Sequence, residues 1–226
     1  HKDEFGKVLE VLTKEAKAEV AAERARKQVL EAIKDVEKAQ KRKVIDSDKL
    51  KDAEFLGQDS MLLIVEGNSA LGGMAQARDP QRVGLMAIRG KILNCLANND
   101  EKIFQNEEIK LLLNAMNIVP GKYDSKKLRY GKLAICSDAD SDGYHIGLLI
   151  MSALYYLAPQ FIEEGRFCWL RAPLYIVENK GKETYYFTDE EFNKVRGKIK
   201  GEVTRNKGLG QMPAEQAHRS MFTPEY

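Results

Sequence analysis

Three aspartates stand at alternate positions in S-D-A-D-S-D-G-Y-H-I, residues 137–146: Asp138, Asp140 and Asp142. Carboxylates about 6 Å apart repel by roughly 2–3 kcal/mol per pair at an effective dielectric near 20, so a folded chain crowds them only with compensation. The stretch itself holds no Arg or Lys, and the nearest lysine in sequence is Lys132. A bound divalent cation is the first expectation, set against the plainer one of a solvated turn.

The pattern Asp138-x-Asp140-x-Asp142-Gly143 meets the first half of a helix-loop-helix calcium loop. It fails further on: the twelfth position, where a bidentate Glu belongs, is Leu149, and a strand-like apolar run precedes the loop in place of a helix. In the other arrangement Asp138 and Asp140 alternate on an extended loop and Gly143 turns the backbone into a helix, which suits magnesium. Magnesium takes one or two protein carboxylates, keeps waters and shares its shell with phosphate oxygens, so a phosphorylated substrate is implied. Two such ions about 3.5–4 Å apart would stabilise both the attacking and the leaving oxygen of a phosphodiester transfer.

The elements that must position these groups follow from the pattern of apolar residues. Met61 to Val65 is a short apolar run ending at Glu66-Gly67, and Leu133 to Cys136 is another ending at Ser137-Asp138, each followed by a helical pattern. Leu85 to Ile88, before Arg89-Gly90-Lys91, reads as a third strand, with helices at 107–116 and 143–157. In an open parallel sheet functional groups gather beyond the carboxyl ends of the strands, the place of both Glu66 and Asp138. If their strands are neighbours, one glutamate and the aspartates converge. Further on, strands are expected near 167–177 and 184–187, joined by the turn Asn179-Lys180-Gly181-Lys182, then a short helix at 189–196. At the start, residues 3–43 have no Pro and only Gly6, and Ala, Glu, Lys and Arg dominate, so a long helix is expected. Its apolar stripes, Phe5, Val8, Leu9 and Leu12, then Val29, Leu30, Ile33 and Val36, flank a charged middle that would pack on a partner or span domains. Lys41-Arg42-Lys43 reads as a solvated helix end or a phosphate contact.

Lys and Arg number 36 against 34 Asp and Glu, so bulk charge neither implies nor excludes nucleic acid. Cys95, Cys136 and Cys168 are far apart with no C-x-x-C pair, which fits a reducing compartment without a thiolate metal site. The longest apolar run, 146–158, is too short to span a bilayer. The chain opens on His1 and reads as a piece of a longer protein.

Four strings, V-E-G-N-S-A (65–70), R-G-K-I-L-N (89–94), S-D-A-D-S-D-G-Y-H-I (137–146) and R-N-K-G-L-G-Q-M (205–212), stand in the order and approximate spacing of the TOPRIM domain of type IIA DNA topoisomerases. K-L-R-Y-G-K-L and A-P-L-Y-I-V also resemble that family, so the likeness runs from about Leu63 to Met212. The resemblance implies an α/β fold: a Rossmann-like TOPRIM domain with a parallel sheet, preceded by a long helical segment and followed by a small α+β extension. Residues 1–54 would be a helical linker ending the transducer, and 55–226 the TOPRIM domain with its extension. Glu66, Asp138, Asp140 and Asp142 look like the family's metal cluster for one or two Mg2+. Glu66 would also act as general acid or base at the 3′-oxygen. Lys91, Asn94 and Lys207 look like its DNA contacts, with a surface-turn lysine as the plainer reading of Lys207.

The implied activity is that of an ATP-dependent type II DNA topoisomerase, an isomerase that cleaves and religates double-stranded DNA. ATP would bind a domain outside this chain, the nucleophilic tyrosine would sit on another segment or subunit, and the chain alone would not cleave. A homodimer of subunits within a larger complex, in the cytoplasm of a bacterial or phage-infected cell and away from membranes, completes the implied setting. The chain departs from the family at Asn68, where Asp is usual; an amide oxygen can still ligate or orient water. Asn68 and the short spacing between motifs favour the large subunit of a T-even bacteriophage enzyme over a gyrase B-like subunit. His145 is expected to buttress a helix, His218 to lie on the surface, and Tyr226 lacks the setting of a nucleophile. The rivals are a TOPRIM nuclease or primase-like nucleotidyl transferase, and a docking module whose magnesium is structural.

Overall fold

The structure, a computed structural model, describes residues 2–40, 48–137, 141–206 and 208–223. Its centre is a sheet of order β1-β3-β2-β4-β5, from β1 (Leu50–Lys51), β2 (Gly57–Glu66), β3 (Val83–Ile88), β4 (Tyr130–Cys136) and β5 (Phe167–Trp169). The last four are parallel, and β1 adds an antiparallel edge. Leu62 to Val65 are buried on both faces of β2, and β3 is buried throughout, which is why these strands read as unbroken apolar runs.

The crossovers wind in two directions from β2. α2 (Gly67–Ala77) carries the chain to β3 on one side; α3 (Asp100–Gln105) and α4 (Glu107–Met116) carry it back to β4 on the other. α5 (Ser141–Leu157) and α6 (Pro159–Glu163) then lead outward to β5. Right-handed connections running opposite ways put their helices on opposite faces, and the two cores divide accordingly. Leu62, Ile64, Met86, Ile88, Leu133 and Ile135 pack with α3 to α6. Leu63, Val65, Leu85, Ala87, Ala134 and Cys136 pack with α2 and the segment from Leu209 to Met221.

α1 (Lys2–Gln40) is the expected long helix, and among its described side chains buried Val36 and half-buried Val29 and Ile33 reach the first core. Lys41-Arg42-Lys43 lies outside the described residues. No helix among the described residues is long and apolar enough to cross a membrane.

The strand expected over 167–177 is two strands. β5 closes the edge of the parallel sheet, and β6 (Tyr175–Asn179) belongs to a separate antiparallel sheet of order β7-β6-β8, with β7 (Lys182–Tyr186) and β8 (Glu202–Arg205). Pro173, which has no N–H for a ladder, lies in the break between them. The β6–β7 turn holds Lys180 at φ 52° and Gly181 at φ 77°, the two left-handed residues that match a tight hairpin to strand twist. α7 (Asp189–Val195) follows, capped by Thr188, and α8 (Ala214–Ala217) precedes a wide helical turn at His218–Phe222.

The amino ends of the strands are tied by a polar network. The hydroxyl of Tyr130, a fully buried side chain, donates to Asp52 Oδ1 at 2.7 Å and accepts from Ala53 N at 3.1 Å. Arg129 holds the other Asp52 oxygen, and Arg78 donates to the carbonyls of Lys51, Asp52 and Val83. Gly84 makes room for this: a Cβ there would lie 2.2 Å from the Tyr130 hydroxyl.

Candidate metal and phosphate site

Glu66 is the last residue of β2, half-buried, with extended backbone at the start of α2. It is the first side chain past the apolar run, and Gly67, at φ 75°, turns the chain into the helix behind it. In register Glu66 lies beside Ile88 of β3, and Val65 beside Cys136 of β4. The strands carrying Glu66 and the acidic string are therefore neighbours, as convergence requires. Glu66 sits at the point where the winding reverses, between the segment leaving β3 and the segment leaving β4.

The segment leaving β3 is R-G-K-I-L-N. Gly90 takes φ 70°, and Lys91 beyond it places its Nζ 2.9 Å from Asp142 Oδ1, with side chains 47% and 67% exposed. Asp142 lies in the first turn of α5. The hydrogen bond from Lys91, then the lysine's charge, hold its carboxyl below the usual range, and His145 adds a little in the same direction. A search for cations near the acidic string in sequence stops at Lys132, so it misses this partner, which the strand order β3-β2-β4 delivers. His145 is exposed in α5.

Asn94 is exposed and caps the helical turn Cys95–Ala97, its Oδ1 accepting from Leu96 N at 3.0 Å. Asp138, Asp140 and Lys207 lie outside the described residues, as does Tyr226. The flanks of Lys207 are described: Asn206 bonds the carbonyls of Pro173 and Leu174, and Gly208 N donates to Asn206 Oδ1. Buried Leu209 enters the core behind α2, and a Cβ on Gly210 would stand 2.9 Å from Ser69 Oγ. Leu209 and Gly210 thus lie against the first turn of the helix that Glu66 opens. Asn68 is exposed in that same turn.

A cleft of about 370 Å3 adjoins these strings, with Ser137, Tyr144, Trp169, Arg171, Arg205 and Asn206 in its wall. Sequence reasoning did not find it, because its wall joins residues of two separate strings, 137–146 and 205–212, with Trp169 and Arg171 between them in sequence. His218, expected on the surface, is exposed but has its Nδ1 2.8 Å from the Ala77 carbonyl at the end of α2.

Among the described residues no group of three or more His, Cys, Asp or Glu is arranged to hold a metal ion. Those the site does present, Glu66 and Asp142, are hard oxygen donors of the kind magnesium takes. The ammonium against Asp142 shows that positive charge is accommodated there. The strand before the acidic string and the burial of Leu149 inside α5 are incompatible with a helix-loop-helix calcium loop.

The central sheet is doubly wound and mostly parallel, a Rossmann-like α/β architecture with a glutamate at its reversal point. Residues 61–169 match the Toprim domain family, and the chain carries a Toprim domain. Over 168 residues, 73% of this chain and 26% of the relative, it is 38% identical to the B subunit of DNA gyrase from Thermotoga maritima. It is 35% identical over 199 residues to the B subunit of DNA topoisomerase 4 from Borreliella burgdorferi, covering 84% of this chain and 33% of that one. With the B subunit of DNA gyrase from Treponema denticola the likeness reaches 98% of this chain, at 32% identity, and 35% of the relative. The chain thus spans about a third or less of these relatives' length. In three dimensions it resembles the DNA-binding, cleavage and re-ligation domain of Plasmodium falciparum topoisomerase II, with a TM-score of 0.69 and 24% identity over 79% of this chain and 26% of that one; this likeness concerns the fold.

Proposed function

We propose that the chain is the magnesium-binding Toprim part of an ATP-dependent type II DNA topoisomerase, an isomerase, and that it serves double-strand cleavage and religation by a tyrosine on another segment or subunit. The observation that carries this reading is the place of Glu66: the tip of the central strand, with R-G-K-I-L-N leaving one neighbour and S-D-A-D-S-D the other. The similarity to gyrase B proteins over most of the chain supports it against a nuclease or a primase-like transferase. It also supports the gyrase B-like assignment; the bacteriophage assignment rests on Asn68 and motif spacing alone.

In this reading Glu66, Asp138, Asp140 and Asp142 hold one or two Mg2+. A bound magnesium supplies charge stabilisation to the oxygens exchanged at the phosphodiester. Glu66 moves a proton to or from the 3′-oxygen, a task for which half-burial at a strand tip fixes the carboxyl in place. Lys91, Asn94 and Lys207 grip backbone phosphates and set the register of the duplex. ATP binds a domain outside this chain, two copies of the subunit act in one cytoplasmic complex, and the chain alone does not cleave. We divide it into a linker, 1–54, and the Toprim unit with its extension, 55–226, with β1 as the tether between them.

The test is Asp138→Ala in the complete enzyme. Duplex binding persists and magnesium-dependent cleavage is lost; cleavage at the parent rate rejects the assignment.

A further inference from the structure

Lys91 leaves the end of β3, Asp142 opens α5 just past β4, and β2 with Glu66 at its tip runs between those two strands. The ion pair of 2.9 Å therefore links the elements on either side of Glu66. Lys91 brings to this place a flexible stem and three donors, and nearly half its side chain faces solvent. A divalent ion that took Asp142 as a ligand would stand within about 5 Å of the ammonium, and like charges that close repel. The ammonium and the ion are competitors for one carboxylate. Once displaced, the ammonium is charged, mobile and adjacent to the place where a phosphate would lie.

We propose that Lys91 is an exchangeable counter-ion, paired with Asp142 while no divalent ion is bound and transferred to a nucleic-acid phosphate oxygen when the ion takes Asp142. This rests on the reading of the site as a metal and phosphate centre. It makes metal and duplex binding mutually reinforcing: the ion frees Lys91 for phosphate, and phosphate frees Asp142 for the ion, by the same factor in each direction. Both side chains are well exposed, so the pair has the strength of a surface ion pair and the coupling is about two- to fivefold.

The experiment measures Mn2+ binding to the 226-residue chain by electron paramagnetic resonance of the free ion, with and without a short blunt duplex. Without DNA, Lys91→Met binds Mn2+ about two- to fivefold more tightly than the parent, and Lys91→Arg binds it as the parent does. The duplex tightens Mn2+ binding in the parent, and that gain shrinks by the same factor in Lys91→Met. Lys132→Met, which removes an equal charge near the amino end of β4, leaves Mn2+ affinity unchanged. Equal tightening by Lys132→Met would reduce the effect to net charge and overturn the exchange. So would equal affinities of the parent and Lys91→Met alongside weakened binding by Asp142→Asn, a result that leaves the metal centre standing. Absence of saturable Mn2+ binding in the parent would overturn both readings.

Discussion

Replacing Tyr130 with Phe removes one oxygen from the polar network at the amino ends of the strands. That hydroxyl donates to Asp52 Oδ1 at 2.7 Å and accepts from Ala53 N at 3.1 Å. Loss of the acceptor leaves the Ala53 N–H buried without a partner, which costs about 1–3 kcal/mol. Loss of the donor weakens a bond to a charged group worth about 1.5–3 kcal/mol, toward the lower end here because Asp52 keeps Arg129. The sum is about 3–4 kcal/mol, read as a fall in the urea midpoint at constant slope. Tyr130 opens β4, and Glu66 and Ser137 lie beyond the opposite ends of the strands, so Mn2+ affinity stays at the parent value. Burial and the neighbouring Asp52 charge push the phenol's pKa well up, so the cost is the same at neutral and mildly alkaline pH. A destabilisation below about 1 kcal/mol would refute the claim that this hydroxyl helps to fasten Asp52 and Ala53 to the sheet.

Glu183 is clasped by Nε and Nη2 of Arg219 at 3.0 and 2.9 Å and bonded by Tyr185 and Gln216, which together bring its pKa down to about 2. A carboxyl depressed on folding contributes stability that is full above its unfolded pKa, near 4.5, and is lost as pH falls through about 2. Glu183→Gln therefore costs about 1–2 kcal/mol at neutral pH, discounted because Arg219 is half exposed, and the two proteins' urea midpoints converge as acid is added. Gly147→Ala puts a Cβ 2.2 Å from Trp169, the chain's one tryptophan, and overpacking costs about 1–3 kcal/mol with a shifted emission maximum; an unchanged spectrum counts against the contact. With the phosphate contacts proposed above, duplex affinity of the chain falls as salt rises, and equal affinities at two salt concentrations would contradict that proposal.

The central strands were legible because a parallel sheet buries both faces, and Leu62 to Val65 and Leu133 to Cys136 carry the resulting unbroken apolar runs. The helix over Glu107–Met116 was legible too, from its apolar stripe. β8 was not: Glu202 to Arg205 is short and exposed, and only its partner β6 makes it a strand. The joint between β5 and β6 was hidden because aromatic residues flank it closely on both sides, at Phe167, Trp169 and Tyr175, and only Pro173 marks the break. Glu66 could be picked out as the first polar residue after such a run, but its neighbours could not, since strand order is a property of crossovers. For the same reason the sequence offered Lys91 only by resemblance, as a candidate phosphate contact, and did not show it as the partner of Asp142.

The grip of Arg219 on Glu183 has a mechanical side. Arg219 follows α8, whose Ala217, with Met221, packs on Ala70, Leu71 and Met74 of α2, while His218 meets the carbonyl of Ala77. Hairpin, terminal segment and α2 thus form a closed chain of contacts ending at the helix that Glu66 begins. Load applied to the β6–β7 hairpin would therefore be shared with α2 through Arg219 and the terminal segment.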